Sequence, residues 1–421
     1  MITKLNVFYK TERVGIIQVD PETGEFAFAY TRAWREKGFV ISPHIPFDRP
    51  ASSHAIKHFL DNLLPEGRAL DLFSLFFKVT KDNTLAITRE IGNETSGALT
   101  FFADEAEIPP TQSRPVKEIE ITQRLQTEDP LRIIVWDGKP RLSVAGVQDK
   151  LPLIYHPEHG YSFGEGDLAS THILKFETER QRHLVVNEYI CMQLAKAAGL
   201  DTARTEIRHF GAKPALLVER FDRRRNEDET IERLHIIDGC QALNLPPTHK
   251  YERNLGTGKR VETIREGVSL PKLFTFAKVC QNPVKTTLHI LQWAIFNLII
   301  ANSDAHGKNI SFFVDRNGYR LTPFYDMVCI AMYPEFEQQL SMAWGDNFDT
   351  DIQKEDIEAM CERCDIHPRL AFKEFKTISR KILQRLENNT FTKLASNREE
   401  HRFIEEMIAL LGTRAQKYHN L

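Results

Sequence analysis

The chain has 421 residues, 42% of them hydrophobic and 27% charged, which is enough to build two or three packed units and excludes a disordered or collagen-like chain. A formal net charge of −3 excludes a protein that grips nucleic acid by its overall charge, leaving DNA a role only through a local patch or a partner. The opening MITKLNVFYKTERVGII lacks a basic segment followed by a continuous apolar run, and the most apolar window, residues 288–301, is interrupted by Gln292 and Asn297; neither a secretory signal nor a membrane span is expected, and the chain reads as cytoplasmic.

In chain order, residues 3–45 carry four short strand-like runs, LNVFY, VGIIQV, EFAFAY and FVISPHI, which predict a small antiparallel sheet. HAIKHFLDNLLPEGRALDLFSLFFKV switches to a helical period broken at Pro65 and Gly67, and GALTFF returns to strand, so residues 1–108 form an α+β unit. EIPPTQSRPVKE is rich in proline and polar residues and is expected as a linker, followed by a helix in EIEITQRLQTEDPLRII. Residues 109–225 then alternate: RLSVAGVQDKLPLIYH, a turn in GYSFGEGD, THILKFE, the helix VNEYICMQLAKAAGL, TEIRHF and PALLVERFD predict a five-element sheet with one embedded helix. Residues 226–421 are mostly helical in period, with a short hairpin in ISFFVDRNGYRLTPF.

The six cysteines are scattered through mostly apolar segments, as reduced thiols are. Cys361 and Cys364, with His367 nearby, match half of a zinc site, but no second half accompanies them, and buried cysteines on a helix face are expected instead.

The densest chemistry lies in NSDAHGKN, residues 302–309, set between the apolar runs WAIFNLIIA and ISFFV. A solvated turn is one reading. The other is phosphoryl transfer, which needs a carboxylate to accept the acceptor hydroxyl's proton and an amide and second carboxylate as hard ligands for Mg²⁺. Asp304 and Asn309 have the D-x₄-N spacing of a protein-kinase catalytic loop, and the following hairpin returns Tyr325 and Asp326 toward the same place. A β-rich half followed by a helical half can hold a nucleotide between them, and THILKFE offers its cation: Lys175 shares a strand face with Ile173, where it either meets phosphate or snorkels to water. Glu188 can pair with such a lysine or simply complement a helix N-terminus. In SVAGVQDK, Ser143, Gly146, Gln148 and Lys150 can offer donors to phosphate, or the stretch is a plain hairpin turn.

SVAGVQDK, THILKFE, NEYICMQLAKAAGL, ALLVERFDRR, NSDAHGKN and LTPFYDM occur in one order that resembles the HipA family of bacterial serine/threonine kinases, the toxins of HipBA-type toxin–antitoxin modules. VGII, FAFAY, ISPHIPF, FLDNLLPEGR and SGALTF resemble that family's extra N-terminal subdomain, so the likeness spans nearly the whole chain. Mild departures are Asp149, where glutamate is frequent, and the charged DRRRNEDE after Phe221.

The resemblance implies an α+β, bilobal, protein-kinase-like fold: a β-rich N-terminal lobe with an extra subdomain, and an all-helical C-terminal lobe. It implies ATP and Mg²⁺ as cofactors, Asp304 as the catalytic aspartate, and His306 and Lys308 as helpers beside the γ-phosphate. Asn309 and Asp326 become metal ligands. Lys175, Lys150 and the loop residues Ser143, Val144, Ala145, Gly146 and Gln148 meet the phosphates. Glu219, Arg220 and Phe221 serve as the adenine hinge, with Tyr325 also at the nucleotide. Ser143 matches the serine that family members autophosphorylate and thereby inactivate themselves. The implied partners are a HipB-like helix-turn-helix antitoxin, through which alone DNA is reached, and a translation protein of the aminoacyl-tRNA synthetase class as substrate, with growth arrest the result. Two alternatives stand beside this: a catalytically weak corepressor that only binds antitoxin, and a small-molecule phosphotransferase.

Overall fold

The computed structural model describes the chain except residues 1–2, 93, 105–109, 130, 142–148, 167, 179–180, 228–229 and 389, and the side chain of residue 140. The chain forms two compact units: Met1–Glu177 with Glu206–Ile237 and Phe312–Gly318, and Thr178–Thr205 with Asp238–Ser311 and Tyr319–Leu421.

Beside the two-stranded ribbons Val135–Trp136 with Lys139–Pro140 and Arg223–Arg225 with Ile231–Arg233, the first unit holds two larger antiparallel sheets. The smaller has the spatial order Phe26–Tyr30, Glu12–Val19, Lys4–Tyr9, Leu99–Phe102. Three of its strands are those expected, and the fourth is GALTFF rather than FVISPHI. Residues 39–45 bend instead of pairing. Pro43 has no ladder donor to give, and the Tyr30 hydroxyl takes over as partner, accepting the Ile41 N–H at 3.0 Å and donating to the Ile45 carbonyl at 2.6 Å. Helices Ser53–Asp61 and Gly67–Phe77 flank the anticipated break at Pro65, and a further helix, Thr84–Ile91, precedes the last strand.

The larger sheet runs in the order Thr205–Phe210, Lys213–Glu219, His172–Phe176, Lys150–His156, Gly160–Glu165, Gln112–Val116. It thus has six strands: Gln112–Val116 comes from the segment expected as a linker, and Gly160–Glu165 from GYSFGEGD, expected as a turn, which instead pairs with Lys150–His156. Pro115 does not prevent this because the strand lies at the sheet edge, where a missing N–H is tolerated. Ile121, Trp136, Leu151, Phe163 and Leu174 form its buried core, with the Trp136 indole donating to the Ile133 carbonyl at 3.0 Å.

A buried ionic network ties segments of this unit that lie more than a hundred residues apart. Asp222 accepts from the Gly97 N–H at 2.9 Å, from Arg220 at 3.0 and 2.8 Å and from Arg223 at 2.8 Å, while Ser170 donates to Glu94 at 2.8 Å. Burial alone would raise both carboxyls; Arg233, Arg220 and Arg223 overcome it at Glu94, and Arg220 and Arg223 hold Asp222 far below the usual carboxylate range.

The second unit is dominated by helices: Leu184–Ala198, Leu270–Ala277, Pro283–Ile299, Lys354–Cys364, Pro368–Glu387 and Arg398–His419. Pro368–Glu387 packs against Arg398–His419, Leu184–Ala198 and Pro283–Ile299, which accounts for the nearly all-round burial of the last. Cys361 and Cys364 lie on the buried side of their helix, where burial pushes their thiols up to about 11 and about 12. His367 caps the next helix, its Nδ1 accepting the Arg369 N–H at 3.2 Å. No helix among the described residues is long and apolar enough to cross a membrane.

Candidate active site

Helix Pro283–Ile299 delivers the NSDAHGKN loop. Asn282 caps its start by accepting the Lys285 N–H at 3.0 Å, and Pro283 sits in the first turn, where its lack of an N–H costs nothing. At the other end the Ala301 N–H donates to the Leu298 carbonyl at 3.1 Å and the Asn302 N–H to the Asn297 carbonyl at 2.9 Å, with Ala301 left-handed at φ +52°. This paired reversal stops the helix sharply and turns the chain into the loop. Asn302 then braces the turn, its Nδ2 donating to Asn297 Oδ1 at 2.8 Å and its Oδ1 accepting the Asp304 N–H at 3.3 Å.

Within residues 301–314 every residue is buried except Asp304, which is exposed. A solvated turn would expose its amides and its cation; this loop buries Asn302, His306, Lys308 and Asn309 and presents one carboxylate. The buried groups are satisfied by one another. His306 opens a short 3₁₀ turn, Gly307–Asn309, with its Nδ1 accepting the Lys308 N–H at 3.3 Å, and its own N–H donates to Asn309 Oδ1 at 3.2 Å. Lys308 Nζ lies 3.0 Å from Asp238 Oδ2. Asp238 in turn caps helix Gly239–Ala242 by accepting the Gln241 N–H at 2.8 Å. The Tyr325 hydroxyl donates to the Lys308 carbonyl at 2.8 Å and meets Ser311 Oγ at 2.6 Å. Ser341 closes the other side, its N–H donating to the Ser303 carbonyl at 3.0 Å and its hydroxyl to the Ala305 carbonyl at 2.6 Å.

Asn309 and Asp326, seventeen positions apart, meet here: Asn309 Nδ2 donates to Asp326 Oδ2 at 2.9 Å. Asp326 is held left-handed at φ +60°, which costs on the order of 1 kcal/mol and persists only where the surroundings fix it. An amide beside a carboxylate is a hard-oxygen donor set, which fits Mg²⁺ rather than a thiophilic metal.

In the first unit, Lys175 and Lys150 are direct cross-strand partners, with Lys175 5% exposed. Like charges directly opposite each other on a sheet are destabilising, so two ammonium groups at one register position are suited to a shared anion. Glu219 is exposed at the end of its strand and Phe221 packs edge-on against Phe313, ring centroids 6.1 Å apart. The Arg220 main-chain N–H donates to the Thr171 carbonyl at 2.9 Å and its guanidinium belongs to the Asp222 network, so its contribution is to hold the strand end in place. Glu188, read from sequence either as a partner for a lysine or as a helix-start acid, is 1% exposed, a placement that demands an internal partner. Ser143, Val144, Ala145, Gly146 and Gln148 lie outside the described residues.

Three residues of this site escape motif reading: Asp238, Tyr251 and Ser341. Each lies tens of residues from NSDAHGKN. The only local signal was the D-x-x-Q capping pattern of Asp238. Tyr251 donates to Asp304 Oδ1 at 2.6 Å.

A β-rich unit and a helical unit that carries a D-x₄-N loop beside a second aspartate define a bilobal, kinase-like α+β protein. Family models for the HipA N-terminal domain and the HipA-like C-terminal domain match residues 5–102 and 142–390. The chain belongs to the HipA family, and its enzyme class is serine/threonine-protein kinase. It is 44% identical over 407 residues to the serine/threonine-protein kinase toxin HipA of Shewanella oneidensis, covering 96% of this chain and 93% of that protein. It is 32% identical over 350 residues to Y4mE of Sinorhizobium fredii, covering 81% of this chain and 80% of that one. A solved structure of the Shewanella oneidensis HipA with HipB and its operator DNA superposes with a TM-score of 0.91 at 43% identity, covering 99% of this chain and 98% of that chain.

Proposed function

We propose that this kinase uses ATP and Mg²⁺ to phosphorylate serine or threonine hydroxyls of a protein, and that it is the toxin of a HipBA-type module. The observation that carries the catalytic reading is the lone exposed Asp304 in an otherwise buried loop, close in sequence to the Asn309–Asp326 pair. In the transfer, the acceptor hydroxyl donates its proton to the Asp304 carboxylate as its oxygen bonds to the γ-phosphorus, and the bond to the β–γ bridging oxygen breaks to release ADP. Asn309 and Asp326 would hold Mg²⁺, which when bound neutralises charge on the phosphate oxygens. Lys175 and Lys150 supply the cationic register for phosphate, and Glu219 and Phe221 the strand end that receives adenine. His306, Lys308 and Tyr325 keep the loop in shape around Asp304.

The partner reading rests on the likeness to the Shewanella HipA, which was solved with HipB and operator DNA. A HipB-like helix-turn-helix antitoxin would neutralise this chain and be its only link to DNA. The substrate class is a cytoplasmic translation protein, an aminoacyl-tRNA synthetase in the first place, and Ser143 is the autophosphorylated residue that switches the enzyme off. Purified wild-type chain should take up label from γ-labelled ATP, with phosphate at Ser143 by mass spectrometry. Asp304→Ala, folded by circular dichroism, should take up none. Labelling of that variant at the wild-type rate would sink the assignment.

A further inference from the structure

Asp304 is the exposed member of its loop, and an exposed carboxylate rotates about two torsions; something must aim it. We propose that Tyr251 is the positioning residue that does so, an inference that rests on the kinase reading above. The Tyr251 hydroxyl donates to Asp304 Oδ1 at 2.6 Å, a short charge-assisted bond. One oxygen is thereby engaged, and the other is turned to the acceptor hydroxyl. The phenol ring stands edge-on to His306, centroids 5.1 Å apart and planes at 85°. Tyr251 thus touches the acid and the residue that opens the loop's 3₁₀ turn.

The segment bearing Tyr251 is itself clamped. The Gly307 N–H donates to the Lys250 carbonyl at 2.9 Å, the Glu252 N–H to the Ser341 carbonyl at 2.9 Å, and the Val268 N–H to the His249 carbonyl at 2.9 Å. The buried Glu252 carboxylate accepts the Ala343 N–H at 2.8 Å and Arg265 Nε at 2.7 Å. Gly267 lies so close to the Tyr251 carbonyl that any side chain there would collide with it, as would one at Gly307 with Val268. Both neighbours of Tyr251 are therefore bonded by their backbone to the catalytic loop or to the Ser341 segment that braces it. A hydroxyl so held fixes the acid within the tolerance that proton transfer needs, and a displacement of about 1 Å costs about a hundredfold in rate.

The test compares wild type, Tyr251→Phe, Tyr251→Gln and Asp304→Ala, following γ-phosphate label on the chain and ADP release. Tyr251→Phe keeps the ring on His306 and loses only the donor. Its kcat should fall about 10- to 100-fold with KM for ATP and melting temperature unchanged. Tyr251→Gln, which lacks the ring but keeps a donor, should recover part of the lost kcat. A Phe variant with wild-type kcat refutes the positioning role while leaving the kinase reading intact, as does a Gln variant slower than Phe at equal melting temperature. If Phe does not fold, the Gln variant decides alone: a folded Gln chain within about tenfold of wild-type kcat supports the role, and a lower rate refutes it. An active Asp304→Ala refutes the assignment of Asp304 and this inference together, and a wild-type chain that neither labels nor releases ADP refutes the ATP-dependent reading on which both rest.

Discussion

Lys308 and Asp238 offer a quantitative test of how the catalytic loop is held. Their charged atoms are 3.0 Å apart, and their side chains are 5% and 13% exposed. Removing one member of a buried pair leaves the other charge desolvated, at about 3–5 kcal/mol. Asp238 keeps a second partner, the Gln241 N–H at 2.8 Å, and a little water contact, which places Lys308→Met at the lower end, about 3 kcal/mol. Asp238→Asn preserves the helix cap, since Asn caps as well as Asp, and loses about 2–3 kcal/mol by removing the carboxylate from the buried ammonium. The double variant should be no worse than the worse single, giving a coupling energy of at least about 2 kcal/mol. Urea titrations of the four proteins measure this, and a melting shift of roughly 6–12 °C for Lys308→Met should accompany it. Additivity within about 0.5 kcal/mol would refute the clamp and return Lys308 to a role toward the γ-phosphate.

Three further outcomes follow from the same geometry. Asp326→Asn should lose at least about a hundredfold in phosphotransfer with its melting temperature within a few degrees of wild type, because its carboxylate serves the reaction rather than the core; activity within threefold of wild type would deny it the metal role. Gly307→Ala should destabilise by about 1–3 kcal/mol in urea, since the added methyl meets the Val268 side chain, and a neutral result would mean that this contact relaxes easily. On acidification, the buried His235 matters: burial lowers its pKa to about 4 while its Nε2 bonds the Ile41 carbonyl at 2.8 Å. The unfolded chain binds that proton from about pH 6.5 downward and the folded chain does not until about pH 4, so stability falls as pH drops through this window, by about 3 kcal/mol at most. Below it, Glu94 and Asp222, whose pKa values are lowered, withdraw their share as pH falls below the unfolded carboxylate range near 4. Urea midpoints at pH 7, 6 and 5 that do not decline, or that decline equally in His235→Gln, would refute the histidine term.

The sequence alone determined the elements whose signals are local. Alternation in VGIIQV and THILKFE, helical period in the run before Ile300, and the break at Pro65 all act within a few residues, and the corresponding strands and helices are present. The D-x₄-N spacing and the later Asp326 were legible because they are short motifs. Where reading failed, the competing force was long-range. QSRPV could be recognised as a strand only once its edge position excused the proline, and FVISPHI lost its ladder to the hydroxyl of Tyr30. The same distinction holds inside the site. Sequence named Asp304 but could not say that it alone in its loop faces solvent, because exposure is set by what packs over the neighbouring residues. Nor could it bring Asp238 to Lys308, or Tyr251 to Asp304, across 70 and 53 positions. Chain connectivity says nothing about such meetings; the packing of the second unit's helices and the clamped 249–268 segment decides them, and with them which oxygen of the acid is held and which is offered.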